Sequence, residues 1–347
     1  MEQHELYMSR CLQLAQQAEG RTAPNPMVGA VVVHNGLIIG EGYHHRCGEP
    51  HAEVNAIHSV EDQSLLMEST LFVNLEPCSH YGKTPPCAQL IIDKKIPRVV
   101  IGMGDPNPKV NGNGIKMLRE AGIEVVENVL NHDCVALNKR FVTMYTQKRP
   151  FVILKWAQTQ DGFIDSIRTN SETPPLRISN EITKTLNHQI RTVESAILIG
   201  THTAILDNPH LTSRKWGHQN PVRMVVDRQL RIPRHYRIYD QTTPTVIFTD
   251  EIDENCKNIT FVKLDFSKNI VPQILDYLYQ INLSSLIVEG GTQLLQSFID
   301  ANLWDEVHVE TSPIIIGSGV KAPRITMNIC ETNCYETNKI IIGIPIV

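Results

Sequence analysis

Long apolar runs are missing from this 347-residue chain. No stretch approaches the ~18 consecutive apolar residues that cross a bilayer, so no membrane partner is expected. The opening MEQHELYMSRCLQLAQQAEG is interrupted by charges, lacks the continuous apolar core of a signal peptide, and reads as an amphipathic helix. A cytoplasmic protein is expected. Positive charge is also in short supply, with 32 Lys and Arg against 37 Asp and Glu for a net charge of -5. Only 6% of the residues are aromatic, so a general basic footprint is missing, stacking residues are few, and no nucleic-acid partner is expected. Eight irregularly spaced cysteines make no disulfide framework. Thiols that stay reduced beside histidines point to metal.

What is present suits about two domains, since roughly 150 residues make one and the chain is 41% apolar. The first part alternates strand and helix signals. MVGAVVVHNGLIIGEGYH reads as a hairpin turning at Asn35-Gly36. A helix follows from about Ala52, then the strand TLFVNLE, a helix from about Cys87, the strand RVVIGMG, and a helix ending at Gly122 before another strand. After residue 147 the pattern restarts with FVILKWAQTQDGFI, a helical stretch near 179–194, and strands at SAILIG, PVRMVVD, PTVIFT, SSLIVEGG, DEVHVETSPIII and KIIIGIPIV. Two α/β domains are expected, over 1–147 and 148–347.

The chemistry concentrates in PHAEVNAI and EPCSHYGKTPPC. Catalytic zinc takes three protein ligands and leaves one position open, and His51, Cys78 and Cys87 supply such a set. Glu53 stands two residues from His51 near the start of the same helix, where a carboxylate can act as general base beside a metal-activated water. Both cysteines are expected where chain enters helices, which favours thiolate. His-x-Glu followed by Pro-Cys and a second Cys is the signature of zinc nucleobase deaminases, although eight residues separate Cys78 from Cys87 where the general pattern has two. Those eight carry His80 and Lys83, suited to a substrate phosphate or, equally, to a solvated loop. A structural zinc closed by His44, Cys47 or His80 is the alternative to a catalytic one.

Together with APNPMVGAVVV, GEGYHHRCGEPHAE and GMGDPNPKVNGNGIKMLREAGIEV, these residues make the N-terminal part resemble the deaminase domain of the bifunctional riboflavin-biosynthesis deaminase/reductase family. The long Cys spacing is a mark of that family. RPFVILKWAQTQDG, SAILIGTHTAILDNPHLTSR, PVRMVVD and LIVEGGTQLLQSFI make the remainder resemble its reductase domain. The resemblance implies a cytidine-deaminase-like three-layer domain followed by a dihydrofolate-reductase-like domain. It further implies Zn2+ held by His51, Cys78 and Cys87, with Glu53 as proton shuttle and Asn25, His44, His80 and Lys83 on the pyrimidine or its phosphoribosyl group.

In the second domain it places Ala157, Thr203, Asp207, Gly290, Gly291, Thr292, Gln293 and Leu294 on NADPH. Arg191, Leu211, Arg214 and Glu289 would face the substrate, the arginines suiting its phosphate, and Lys155 would orient it. Asp161 also matches. LIVEGGTQLL reads physically as a strand passing through Gly290-Gly291 into a helix, either an amide nest for phosphates or an ordinary tight turn. No GxGxxG opens this domain, and GNG at 112–114 reads as a turn. Where relatives read Gly-Glu-Ser-x-Trp-Ile, this chain has NSETPPLRIS, so no contact is assigned there.

The expected function is deamination of 2,5-diamino-6-(5-phosphoribosylamino)pyrimidin-4-one followed by NADPH-dependent reduction of the ribosyl group. A homodimer or higher homo-oligomer is expected. The competing functions are a deaminase of bases within nucleic acid and a non-catalytic zinc scaffold.

Overall fold

Asn35 and Gly36 both take positive φ (49° and 78°), as a two-residue hairpin turn requires. They join β1 (Gly29–His34) to β2 (Leu37–Tyr43) in antiparallel register. The computed structural model describes residues 3–79, 85–108, 110–217, 219–251 and 256–346. The chain divides into two compact units, Met1–Lys148 and Arg149–Val347.

In the first unit α1 (Gln3–Gln16) precedes the hairpin, and α2 (Ala52–His58), β3 (Thr70–Leu75), α3 (Cys87–Asp93), β4 (Arg98–Met103), α4 (Asn113–Glu120), β5 (Glu124–Val126), α5 (Asn131–Leu137) and α6 (Lys139–Thr146) follow. The five-stranded sheet runs β2-β1-β3-β4-β5. β3, β4 and β5 are parallel, and the near-continuous apolar runs of β3 and β4 reflect burial on both faces. The ends of β3 and the starts of α2 and α3 therefore meet at one sheet end, where ligands of α/β folds collect.

The second unit comprises β6 (Phe151–Gln158), β7 (Phe163–Asp165), α7 (Glu181–Val193), β8 (Ala196–Gly200), α8 (Thr201–Asp207), β9 (Val222–Val226), β10 (Thr245–Thr249), β11 (Ile259–Lys263), α9 (Ile270–Gln280), β12 (Ser285–Glu289), α10 (Thr292–Asp300), β13 (Glu306–Thr311), β14 (Val320–Lys321), β15 (Asn328–Tyr335) and β16 (Asn338–Ile344). The large sheet runs β11-β10-β9-β8-β12-β6-β13-β16-β15. Alternate residues of β8 enter opposite cores, Ala196 and Leu198 on one face and Ile197 and Ile199 on the other.

The structure refines three readings of the sequence. FVILKWAQTQDGFI, strand-like in the sequence, forms two strands, because Gly162 takes a φ of 82° between β6 and β7. GNG at 112–114 closes a turn, as read, and also starts a helix: Gly112, at φ 84°, is the N-cap of α4. β15 went unread because most of its residues are exposed; it forms by pairing with β16 and carries no apolar alternation.

Candidate active sites

His51 is the N-cap residue of α2, Cys78 lies in the loop after β3, and Cys87 is the first residue of α3. Only one of the two cysteines therefore opens a helix. Cys78 still benefits from a helix start, because the Cys87 backbone N–H donates to its sulfur at 3.3 Å. His51 Nδ1 is 3.6 Å from Cys78 Sγ and 3.4 Å from Cys87 Sγ, and all three ligand atoms lie within 4.8 Å of one another. Zinc bonded tetrahedrally at about 2.3 Å to sulfur and about 2.05 Å to nitrogen sets S and N about 3.6 Å apart. The three side chains fit the ion. A hydrogen bond from Cys87 and another with His51 hold the Cys78 thiol well below its ordinary value, which favours the thiolate that a metal needs.

Glu53, in the first turn of α2, is 3% exposed. Burial, and then the neighbouring Cys78 thiolate, push its carboxyl up to about 7. It opens onto a cavity of about 280 Å³ lined also by Asn25, His44, Asp105, Asn107 and Tyr145. His44 Nδ1 bonds the Pro50 carbonyl at 3.1 Å, which fixes its proton there. Its Nε2 then accepts from the Asn25 amide at 3.2 Å. His80 and Lys83 lie outside the described residues.

Sequence reasoning missed Glu76, a buried carboxylate that accepts four backbone N–H groups. Asp105 and Gly112 donate to Oε2 at 3.1 and 3.0 Å, and Gly114 and Ile115 to Oε1 at 2.9 and 3.2 Å. A Cβ at Gly114 would stand 2.0 Å from the Pro77 carbonyl oxygen. The loop carrying Cys78 is thus fastened to the start of α4. The only sequence signal was the position of Glu76 in NLEPC. Asp105 was also missed; burial pushes its carboxyl up to about 6.

In the second unit a cleft of about 620 Å³ brings together Lys155, Ala157, Arg191, Thr203, Asp207, Leu211 and Glu289 with Gly290, Gly291, Thr292 and Gln293. Leu294 instead packs in the core, 8% exposed, and Arg214 lines an adjoining depression with Lys215 and Trp216. Asp161 does not line the cleft; it accepts from Thr159 Oγ1 at 2.6 Å and from the Gly317 N–H at 2.7 Å. Gly290 and Gly291 take φ of 84° and 82°, and a Cβ at Gly290 would meet Thr203 Cγ2 at 2.9 Å. Only glycine lets β12 turn into α10 so close to α8. These residues leave the α10 N-terminus facing the cleft, which suits the phosphates of a dinucleotide.

Register places Lys155 beside Glu289 on one side and His308 on the other. Arg191 Nη2 bonds Glu289 Oε2 at 2.5 Å. Burial acts to raise the Glu289 carboxyl, but Arg191 and Lys155 outweigh it and hold the group below its ordinary value. The Lys155 amine makes no hydrogen bond or ion pair with the described residues, and burial lowers its pKa. Asp207 bonds Arg168, which also bonds Asp165 at 2.6 Å. Arg168 was another residue missed, since nothing in its sequence setting indicates two carboxylates arriving from different segments.

The profile of the cytidine and deoxycytidylate deaminase zinc-binding region matches residues 1–103, and that of the RibD C-terminal domain matches residues 150–332. The riboflavin biosynthesis protein RibD of Bacillus amyloliquefaciens is 40% identical over 331 residues, covering 92% of this chain and 87% of that one. RibD of Aquifex aeolicus is 38% identical over 319 residues, covering 90% and 88%. Among solved structures, the diaminohydroxyphosphoribosylaminopyrimidine deaminase/5-amino-6-(5-phosphoribosylamino)uracil reductase of Thermotoga maritima has a TM-score of 0.89 at 37% identity, covering 99% of each chain. Acinetobacter baumannii RibD also has a TM-score of 0.89, at 26% identity, covering 100% of this chain and 99% of that one.

Proposed function

The chain belongs to the RibD family, and from that premise we propose that His51, Cys78 and Cys87 hold its zinc, that Glu53 carries the proton in deamination, and that the cleft floored by Lys155 is its reductase site. It is a bifunctional enzyme of riboflavin biosynthesis, a zinc-dependent deaminase and an NADPH-dependent reductase. It converts 2,5-diamino-6-(5-phosphoribosylamino)pyrimidin-4-one to 5-amino-6-(5-phosphoribosylamino)uracil, then reduces the ribosyl group to the ribityl chain.

Zinc, when bound, supplies the Lewis acidity that makes water nucleophilic near neutral pH. Glu53 takes the proton of that water and returns it to the departing nitrogen, so that oxygen replaces the amine and ammonia leaves. Asn25 and His44, bonded to each other at the cavity wall, would hold the pyrimidine. The observation that carries this reading is the buried Glu53 in the first turn of the helix that His51 caps.

NADPH, when bound, supplies the hydride for the C1 carbon of the sugar. Ala157, Thr203, Asp207 and the Gly290–Gln293 turn would hold it. Lys155, whose amine makes no hydrogen bond with the described residues, keeps its donors for the substrate, while Glu289 fixes Arg191 beside it. Arg214 would meet the substrate phosphate with Arg191, and Leu211 would flank it. Burial, and then repulsion from Arg191 and Arg237, lower the Arg214 guanidinium, a strain that a bound anion relieves.

Mass spectrometry of products from the diaminopyrimidine ribotide tests both halves. One amine should be exchanged for oxygen without NADPH, and two hydrogens gained only when NADPH is added. Retention of both amines would overturn the deaminase assignment.

No helix among the described residues is long and apolar enough to cross a membrane. A cytoplasmic location fits phosphorylated substrates and an NADPH requirement. A homodimer or larger assembly would cover the edge strand β15, where Ile329 is 59% exposed. Light scattering of the purified chain checks this, and a monomer would overturn it.

A further inference from the structure

Glu310, on β13, is 1% exposed and lies beside Ala157 in the sheet register. One carboxylate oxygen accepts from Ser179 Oγ at 2.6 Å and the other from Asn338 Nδ2 at 2.5 Å. Asn338, at the start of β16 and 3% exposed, also donates to the Ile178 carbonyl at 3.0 Å. Asn180 Nδ2 donates to the Tyr335 carbonyl at 2.8 Å. The segment 178–180 is therefore bonded at three consecutive residues, Ile178 and Asn180 to the C-terminal hairpin β15–β16 and Ser179 to β13, and two of them, Ile178 and Ser179, line the cleft with Lys155. This is also the end of NSETPPLRIS, the loop that departs from the family's usual sequence.

A carboxylate buried to this degree is tolerated only when its oxygens are bonded, and breaking such a group is costly because partners and charge are stranded together. We propose that Glu310 is a positioning residue for the reduction, holding Ser179 and Ile178 as one wall of the reductase cleft through a buried clasp with Asn338. The proposal rests on the assignment of that cleft to reduction. Lys155 is the group through which the clasp reaches the chemistry. It is faced by Glu289 from β12, Arg191 from α7, and His308 and Glu310 from β13. Glu289 and Glu310 favour its ammonium, whereas burial and Arg191 oppose it. Removing the Glu310 charge lowers the Lys155 pKa further, so the ammonium is lost at a lower pH.

The test is NADPH-dependent reduction of 5-amino-6-(5-phosphoribosylamino)uracil by the full chain, followed across pH, for Glu310→Gln, Ser179→Ala and Lys155→Met. Circular dichroism establishes that each variant is folded. Glu310→Gln is expected to lower kcat/KM about tenfold and to move the alkaline limb of the profile to lower pH. Ser179→Ala is expected to raise KM about threefold and leave that limb in place. An unmoved limb with kcat/KM within about twofold of the parent in Glu310→Gln overturns the proposal. If Glu310→Gln does not fold, an unchanged KM in Ser179→Ala overturns it instead. Should Lys155→Met reduce as well as the parent, the cleft assignment falls and the clasp with it; impairment in Lys155→Met alone sinks only the clasp.

Discussion

In the first unit the reactive groups hang on backbone that is fixed within a few residues: His51 caps the helix whose first turn carries Glu53, and Cys87 begins the next helix. In the second unit the charged groups come from three strands and a helix, and only sheet register makes Glu289, Lys155 and His308 neighbours. Local fixing needs a short motif, whereas register needs the whole sheet. A change at the zinc centre should therefore stay in one activity, while a change in the cleft should act through neighbours that are remote in sequence.

The largest effect is expected from Glu53→Gln, about a thousandfold loss of deamination with one zinc retained and reduction of the aminouracil ribotide unchanged. Zinc analysis and both assays check it; a parallel loss of reduction would break the independence of the two sites. Next is Glu76→Ala, which leaves four N–H groups, three of them buried, without their acceptor and is expected to destabilise the first unit by about 3 kcal/mol, read by urea unfolding. A cost below about 1 kcal/mol would show that water replaces the carboxylate.

Lys155→Met is expected to lower reductase kcat/KM about tenfold and leave deamination intact. Its pH dependence has a definite sign. Burial lowers the Lys155 amine, so an activity that needs the ammonium is full at lower pH and fades, as pH rises, below the ordinary lysine range. That alkaline limb should vanish in the methionine variant. The smallest effect belongs to Arg10→Ala, which removes a 2.7 Å ion pair to Glu41 on the surface of the first unit. The exposed pair is worth about 0.5 kcal/mol, so neither activity should move, and thermal unfolding should shift only slightly.

Most of the candidate zinc site was legible because its residue types are chemically restrictive: few side chains bind zinc, and His-Ala-Glu and Pro-Cys occur in order after a strand. The placement of Cys78 was misread because its stabilising helix belongs to Cys87, nine residues later. Glu76 escaped notice because a carboxylate beside Pro-Cys carries no mark of the four amides that converge on it. In the second unit the Gly290-Gly291 turn was legible, since strand, glycine pair and helix are contiguous. The Arg191–Glu289 pair spans 98 residues and the Glu310–Ser179 bond spans 131, so neither could be read from local pattern.

By itself the sequence determined the alternation of strand and helix, the Asn35-Gly36 hairpin, and the inventory of candidate metal ligands, because each depends on side-chain type and short-range spacing. Tertiary structure alone decided which charges neutralise one another in the cleft, how an exposed edge strand forms, and where Glu76 and Glu310 find their donors. Those outcomes depend on register and burial, which bring distant residues within bonding distance and exclude the water that would otherwise separate them.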